Sequence, residues 1–424
     1  MRGRRLHLAI IAVLLAASGI AAAAAFATPQ AQGPRARLED YFTRDEVERS
    51  RRYSGPRYAL SFAAIAAGLL AGAALGLGPG LRRLGSWSAS ASGGRWWLQA
   101  LILMGVVTVA ISLVQLPFGI ARFYHDRSYQ LVTQPLTGYL ADAAKGLGFQ
   151  LVIGAITAIG FLTIVRALPR SWPAAAAGFA VVLTVGMVYL FPVVYEPLFN
   201  RFTPVEGEVR DRVLVIAQRT GVRVDDVLVA DASRRTTRQN AYVSGLGATK
   251  RVVLYDTLLA KSTPEEVDLV VAHELAHVVH RDVLRSTVIG SAGAALLVLL
   301  IWQLVSWEAL RGWLGASGSG DPRWLPFLAL VLAVTSFVTL PLQNWYSRSI
   351  EAAADRAAIE NTGDPDSAVS VEVNLARSNL ADLQPNGFVR WAFFTHPPIL
   401  ERIQIALDAK AKFKPQSAAA EGRP

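Results

Sequence analysis

The sequence of 424 residues predicts a mainly α-helical, polytopic membrane protein carrying a smaller α+β domain in water. Three observations predict it. Hydrophobic residues make up 52% of the chain and charged residues only 17%, where soluble domains hold about a quarter charged. The mean hydropathy is +0.34. The apolar residues also gather in long uncharged runs, which excludes a soluble globular protein. Cysteine is absent, so disulfides, thiolate ligands and cysteine nucleophiles are excluded. The formal charge of +10 comes from scattered basic residues, many bordering apolar runs. Positive charge flanking membrane spans accounts for it, and no nucleic-acid partner is expected.

Reading from charge to charge gives seven apolar runs: Leu6–Thr28, Tyr58–Leu81, Trp96–Ala121, Gly146–Val165, Ser171–Tyr195, Ser286–Trp307 and Trp324–Ser347. Each reaches the ~20 residues a helix needs to cross a ~30 Å hydrocarbon core. Trp96, Trp97, Trp172, Trp302, Trp307, Trp324 and Trp345 cluster near their ends, as an interfacial belt would. The first run, behind Arg2, Arg4 and Arg5, also fits a cleavable signal peptide, but its apolar length favours a retained helix.

This divides the chain into a first helix and loop (1–57), membrane helices two to five (58–195), an aqueous insert (196–285), helices six and seven (286–347), an aqueous C-terminal part (348–411) and a disordered tail (412–424). Two spans separate the insert from the C-terminal part, so both lie on one side of the membrane. Arg35, Arg37, Arg44, Arg49, Arg51, Arg52 and Arg57 crowd the first loop, and positive-inside counting then places the insert in the cytoplasm.

Within the insert, Ser262-Thr263-Pro264-Glu265-Glu266 announces a helix: Thr263 caps it, Pro264 suits its first turn and Glu266 completes a capping box. Val267, Val270, Val271, Leu275, Val278 and Val279 follow at helical spacing, and among them sits His273-Glu274-Leu275-Ala276-His277. Histidines at i and i+4 share a face about 6 Å apart, so both imidazoles can reach one tetrahedral ion. Glu274 is placed to take a proton from water activated by that ion.

A catalytic zinc wants a third protein ligand and an open position. Without cysteine, that ligand is His, Asp or Glu, at a similar height above the membrane. His277 precedes the sixth span by nine residues, roughly 13 Å of helix. Just past the seventh span, the Ala-rich helical stretch Ser347–Asp355 carries Glu351 and, one turn on, Asp355. Glu351 is the expected third ligand of one zinc ion. Asp355 is expected to orient a ligand imidazole or donate a proton late in the reaction.

His273-Glu274-Leu275-Ala276-His277 followed by Glu351-Ala352-Ala353-Ala354-Asp355 resembles the integral-membrane zinc metallopeptidases of the type I CAAX prenyl protease family. Pro197–Pro204 looks like that family's entry to its soluble insert, Asn240–Gly245 like its substrate-binding edge strand, and Thr395-His396-Pro397-Pro398 with Arg402-Ile403 like its C-terminal signature. The likeness spans about Tyr41 to Leu407. It implies seven membrane helices around a water-filled chamber, closed at one end by a zincin-like domain. It also implies endopeptidase action, with Glu274 as base, Asp355 as proton donor, His396 contacting substrate or stabilising the oxyanion, and Asn240 and Arg402 binding substrate. Independently of the family, Asn240–Gly245 and Arg251–Tyr255 read as a hairpin whose free edge could hold an extended peptide.

The expected function is therefore hydrolysis of peptide bonds, in peptide or membrane-protein substrates, by a multi-pass enzyme in the plasma membrane of a prokaryote. Two rivals differ in class. An HtpX-type quality-control protease would carry about four spans rather than seven. A transporter with a structural metal would need charges lining an intramembrane path, and the runs contain almost none.

Overall fold

The computed structural model describes residues 35–245 and 250–420. The first apolar run, Leu6–Thr28, lies outside them. Among the described residues six helices are long and apolar enough to cross a membrane.

Helix α1, Arg44–Gly76, starts at a capping box: Thr43 N–H donates to Glu46 Oε2 at 2.8 Å, and Glu46 N–H donates to Thr43 Oγ1 at 3.2 Å. The arginines from Arg44 to Arg57, expected in a loop, thus ride on a helix that runs on into the membrane. The span expected to reach Leu81 ends at Gly76, because Leu77 is extended and Gly78 turns at φ +54°. A shorter helix, α2 (Gly78–Ala91), follows.

Helices α3 (Trp96–Ser128), α4 (Leu136–Ala167) and α5 (Trp172–Leu190) then pack in sequence. A π-helical turn at Phe191–Tyr195, where Pro192 has no N–H to donate, joins α5 to the short α6 (Glu196–Phe199). In the most apolar window of each span no more than 22% of residues are buried in the protein.

The water-facing part holds β1 (Phe202–Pro204), α7 (Glu208–Arg219), β2 (Asp226–Ala230), β3 (Ala241–Ser244), β4 (Arg251–Tyr255), α8 (Asp256–Leu259) and α9 (Pro264–Val279). The sheet order is β1-β2-β4-β3. Strand β2 runs parallel to β4, while β1 and β3 pair antiparallel with β2 and β4. The expected hairpin is present as β3 and β4, and β3 is an edge of the sheet. Val252, Leu254, Leu258, Val271, Ala272 and Leu275 are fully enclosed where the sheet meets α9.

The chain returns to the membrane in α10 (Asp282–Ser306), turns through α11 (Glu308–Leu314) and comes back in α12 (Trp324–Thr362). Helix α12 begins in a cluster with Leu81, Trp172, Leu314 and a fully buried Trp324, and ends with Ala354, Ala358 and Ile359 buried in the water-facing part. At 1.5 Å per residue these anchors lie about 50 Å apart. Helices α13 (Pro365–Asn379), α14 (Gly387–Phe393) and α15 (Ile399–Ala420) complete the molecule. Helix α15 passes the expected order–disorder boundary at Lys412 because Ala406, Ala409 and Phe413 pack against the cluster of Leu269 and Ile359.

Candidate metal centre

Helix α9 forms where the capping signals place it. Glu266 N–H donates to Thr263 Oγ1 at 3.3 Å, and Thr263 N–H donates to Glu266 Oε2 at 3.1 Å. The same carboxylate is buried and also accepts from Ser370 Oγ and Asn374 Nδ2, which ties the helix start to α13. At its other end Arg281 adopts a left-handed φ of +58°, a conformation that costs a residue with a Cβ roughly 1–2 kcal/mol. That turn starts α10 at Asp282 and brings its carboxylate onto the second histidine.

Three expected metal ligands converge. His273 Nε2 lies 3.2 Å from His277 Nε2 and 3.2 Å from Glu351 Oε2, and His277 Nε2 lies 3.8 Å from Glu351 Oε1. One donor atom from each falls within 4.8 Å of the others. Ligands about 2.0–2.1 Å from a tetrahedral zinc are separated by about 3.3 Å. The three side chains fit such an ion, and three protein donors leave its fourth position open.

The other imidazole nitrogens have carboxylate partners. His277 Nδ1 lies 3.0 Å from Asp282 Oδ2, and His273 Nδ1 lies 2.9 Å from Asp355 Oδ1. The first is a hydrogen bond, and the second is a close polar contact between the buried ring nitrogen and the carboxylate. Both leave Nε2 as the donor to a metal. Burial disfavours a charged His273, but Asp355 and Glu351 outweigh it and push its pKa up to about 10 while no cation competes.

Behind Asp355 stands Arg402, whose Nε and Nη2 grip the two Asp355 oxygens at 2.8 and 2.5 Å. Arg402 Nη2 also reaches Glu372 Oε1 at 2.9 Å. Asp355 takes the bidentate share of the guanidinium, so burial dominates at Glu372 and its carboxyl is pushed up to about 7. Glu274 is likewise raised by burial, above the ordinary glutamate value.

The remaining expected residues lie around one cavity of about 380 Å³, lined by Asn240, Ala241, His273, Glu274, Asp355, His396 and Arg402 among others. His396 Nε2 is 3.2 Å from Glu351 Oε2, on the exposed side of the cluster. Asn240 immediately precedes the edge strand. Arg402, expected to bind substrate, lines the cavity, but its fork is engaged with Asp355 and Glu372.

Sequence reasoning passed over Asp282 and Glu372. Glu372 carried a signal, being a lone acid on the face of α13 that holds Ala368, Val371, Leu375 and Ala376. Asp282 carried none beyond its closeness to His277. His125 stacks on Tyr53 with ring centroids 5.4 Å apart, and its Nε2 lies 2.9 Å from Tyr53 O.

Known proteins are similar to this chain. Peptidase family M48 matches residues 204–410, and a family described as CAAX prenyl protease N-terminal, five membrane helices, matches residues 27–201. The chain is 29% identical over 317 residues to the uncharacterized metalloprotease YhfN of Bacillus subtilis (strain 168), covering 73% of this chain and 74% of that protein. It is 28% identical over 328 residues to the CAAX prenyl protease 1 homolog of Oryza sativa subsp. japonica, covering 74% and 75%. Against CAAX prenyl protease 1 of Saccharomyces cerevisiae the figures are 26% over 328 residues, 73% and 72%. The crystal structure of Ste24p from S. mikatae superposes with a TM-score of 0.77 at 21% identity, covering 94% of this chain and 96% of that one, a likeness of fold.

Proposed function

This chain belongs to the membrane metallopeptidases of family M48 that share the CAAX prenyl protease N-terminal region, and from that premise we propose that it is a zinc-dependent endopeptidase acting on C-terminal CAAX-type peptides. The observation that carries this reading is the convergence of His273, His277 and Glu351 within ligand distance beside an edge strand. The match of residues 27–201 to the prenyl protease membrane region favours it over the HtpX-type reading.

In the proposed mechanism His273, His277 and Glu351 would hold one zinc ion. When bound, the ion acidifies water and polarises the scissile carbonyl. Glu274 accepts the proton of the attacking water and returns it to the leaving amine; its raised pKa brings it closer to the operating pH. Asp282 and Asp355 keep Nε2 of each histidine turned to the ion, and Arg402 keeps Asp355 ionised and in place. His396, at the open side, stands where it can donate to the developing oxyanion. An extended substrate lies along β3, with Asn240 beside the reacting bond.

The protein is an integral, multi-pass membrane protein. We place it in a prokaryotic plasma membrane with the metal centre facing the cytoplasm; reporter fusions after Pro424 test that orientation. Function is tested by incubating the purified protein with a prenylated CAAX peptide and its unmodified twin, with and without chelator. Chelator-sensitive cleavage that prefers the prenylated peptide is expected. Equal cleavage of both indicates a broad protease, and no cleavage of either removes the reading.

A further inference from the structure

The edge strand carries more than a binding surface. Tyr255 N–H donates to Asn240 O at 3.0 Å, and Ala241 and Tyr242 stand opposite Leu254 and Val253. In an antiparallel ladder main-chain groups alternate in direction, so Asn240, Tyr242 and Ser244 turn theirs toward β4. Gln239, Ala241 and Val243 turn theirs to the open side. Among the described residues the open-side groups of Ala241 and Val243 make no hydrogen bond.

Gln239 differs. Its N–H donates to Asn379 Oδ1 at 2.9 Å, and its carbonyl accepts from Asn379 Nδ2 at 3.1 Å. Those are the two bonds that one residue of an added strand would make. The carboxamide of Asn379 therefore occupies the place of a peptide unit in that strand. It is held firmly: Arg238 Nη1 donates to Asn379 O at 2.8 Å, and the next residue, Leu380, ends α13 in a left-handed turn of φ +48°. Gln239 is buried and fixed through its side chain, with Nε2 donating to Ser378 Oγ at 2.8 Å and Oε1 accepting from Ser262 Oγ at 3.0 Å. Gln239 and Asn379 line the same cavity as His273 and Glu274.

We propose that Asn379 is a specificity-determining residue that stops the substrate strand at Gln239 and so limits peptide length on one side of the cleaved bond. The proposal rests on the peptide-hydrolase reading and deepens it. A peptide paired with Val243 and Ala241 has room for one further residue, opposite Asn240, before it meets the Asn379 carboxamide. Beyond that point the chain must end or turn away. The preferred substrate is a peptide that is short on that side, as a segment near a chain terminus would be.

The test uses the full-length, metal-loaded protein in detergent and synthetic peptides sharing one cleavage site, located by mass spectrometry. They are lengthened one residue at a time from either end. The wild type should show a drop in kcat/KM of at least tenfold at a single step, from one end only. Asn379→Ala should raise the long-to-short ratio of kcat/KM at least tenfold, and Asn379→Asp, which keeps the acceptor for Gln239 N–H but loses the donor to Gln239 O, should fall between. A smooth decline from both ends in the wild type overturns the proposal even if neither variant folds. So does a ratio unmoved in both variants while short and long peptides slow together, which is the mark of a structural role. Chelator-sensitive cleavage without the step removes the stop alone, whereas no cleavage of the shortest peptide removes the peptidase reading with it.

Discussion

Helix α9 and helix α12 deliver their side chains to one point but are held there by different means. Helix α9 is local: Thr263 and Glu266 cap it, Val271, Ala272 and Leu275 bury it against the sheet, and Ser370 and Asn374 grip its first turn. Helix α12 is anchored at both ends, at Trp324 in the membrane part and at Ala354, Ala358 and Ile359 in the water-facing part, and it reaches the site after roughly seven turns of helix. The histidines are thus placed by the water-facing domain alone, and the carboxylate by a helix that the membrane bundle and the water-facing domain share. A metal joining them makes the geometry of the centre depend on how the two halves of the molecule dock.

The sharpest way to break this comparison is to remove one contribution from each helix. Glu274→Gln should lower turnover by about 10²–10⁴-fold while metal content stays at wild-type level, since only the base is lost. Glu351→Ala should lose both metal and turnover, as His273→Ala does from the other helix. Full metal occupancy in Glu351→Ala, measured by elemental analysis, would remove α12 from the centre.

The partners behind the ligands come next. Asp282→Asn and Asp355→Asn should each weaken metal affinity by about 10–100-fold. Asp355→Asn should cost more, because it also strands the buried guanidinium of Arg402. Equal losses in a chelator-competition titration would show that the Arg402 link adds nothing.

A smaller effect separates the helices by stability. Glu266→Ala removes the capping box and leaves Ser370 and Asn374 without their buried acceptor, for about 1–3 kcal/mol. The melting temperature should fall while the chelator-competition affinity changes little.

The last is a slope. Glu372 titrates near 7 when folded against an ordinary value of 4.5, so between these values the folded chain holds a proton that the unfolded chain has released. Stability should therefore fall as pH rises from about 4.5 to about 7. Glu372→Gln should flatten that part of the curve; an identical slope in the variant shows that Glu372 is not its source.

Much of this was legible in the residues. The spans were readable because crossing a hydrocarbon core demands a run of a certain length, and α3 and α12 begin at Trp96 and Trp324, where the apolar runs begin. Helix α9 was readable because capping and i,i+4 spacing are matters of one helix turn. Glu351 was reachable because counting spans puts the end of the seventh beside the insert. The pairing of β2 with β4 and the stacking of His125 on Tyr53 were not, since each depends on contacts between elements distant in the chain.

Periodicity and composition alone thus determined that the chain enters the membrane repeatedly and that two imidazoles share a face, because both follow from the rise and pitch of a single helix. Only the tertiary structure decided that Asp282 turns back onto His277, that Glu372 shares Arg402 with Asp355, and that Asn379 stands in for a strand beside Gln239. Those pairings are set by a left-handed turn and by the docking of separate helices, and no local rule in the sequence encodes where two such surfaces meet.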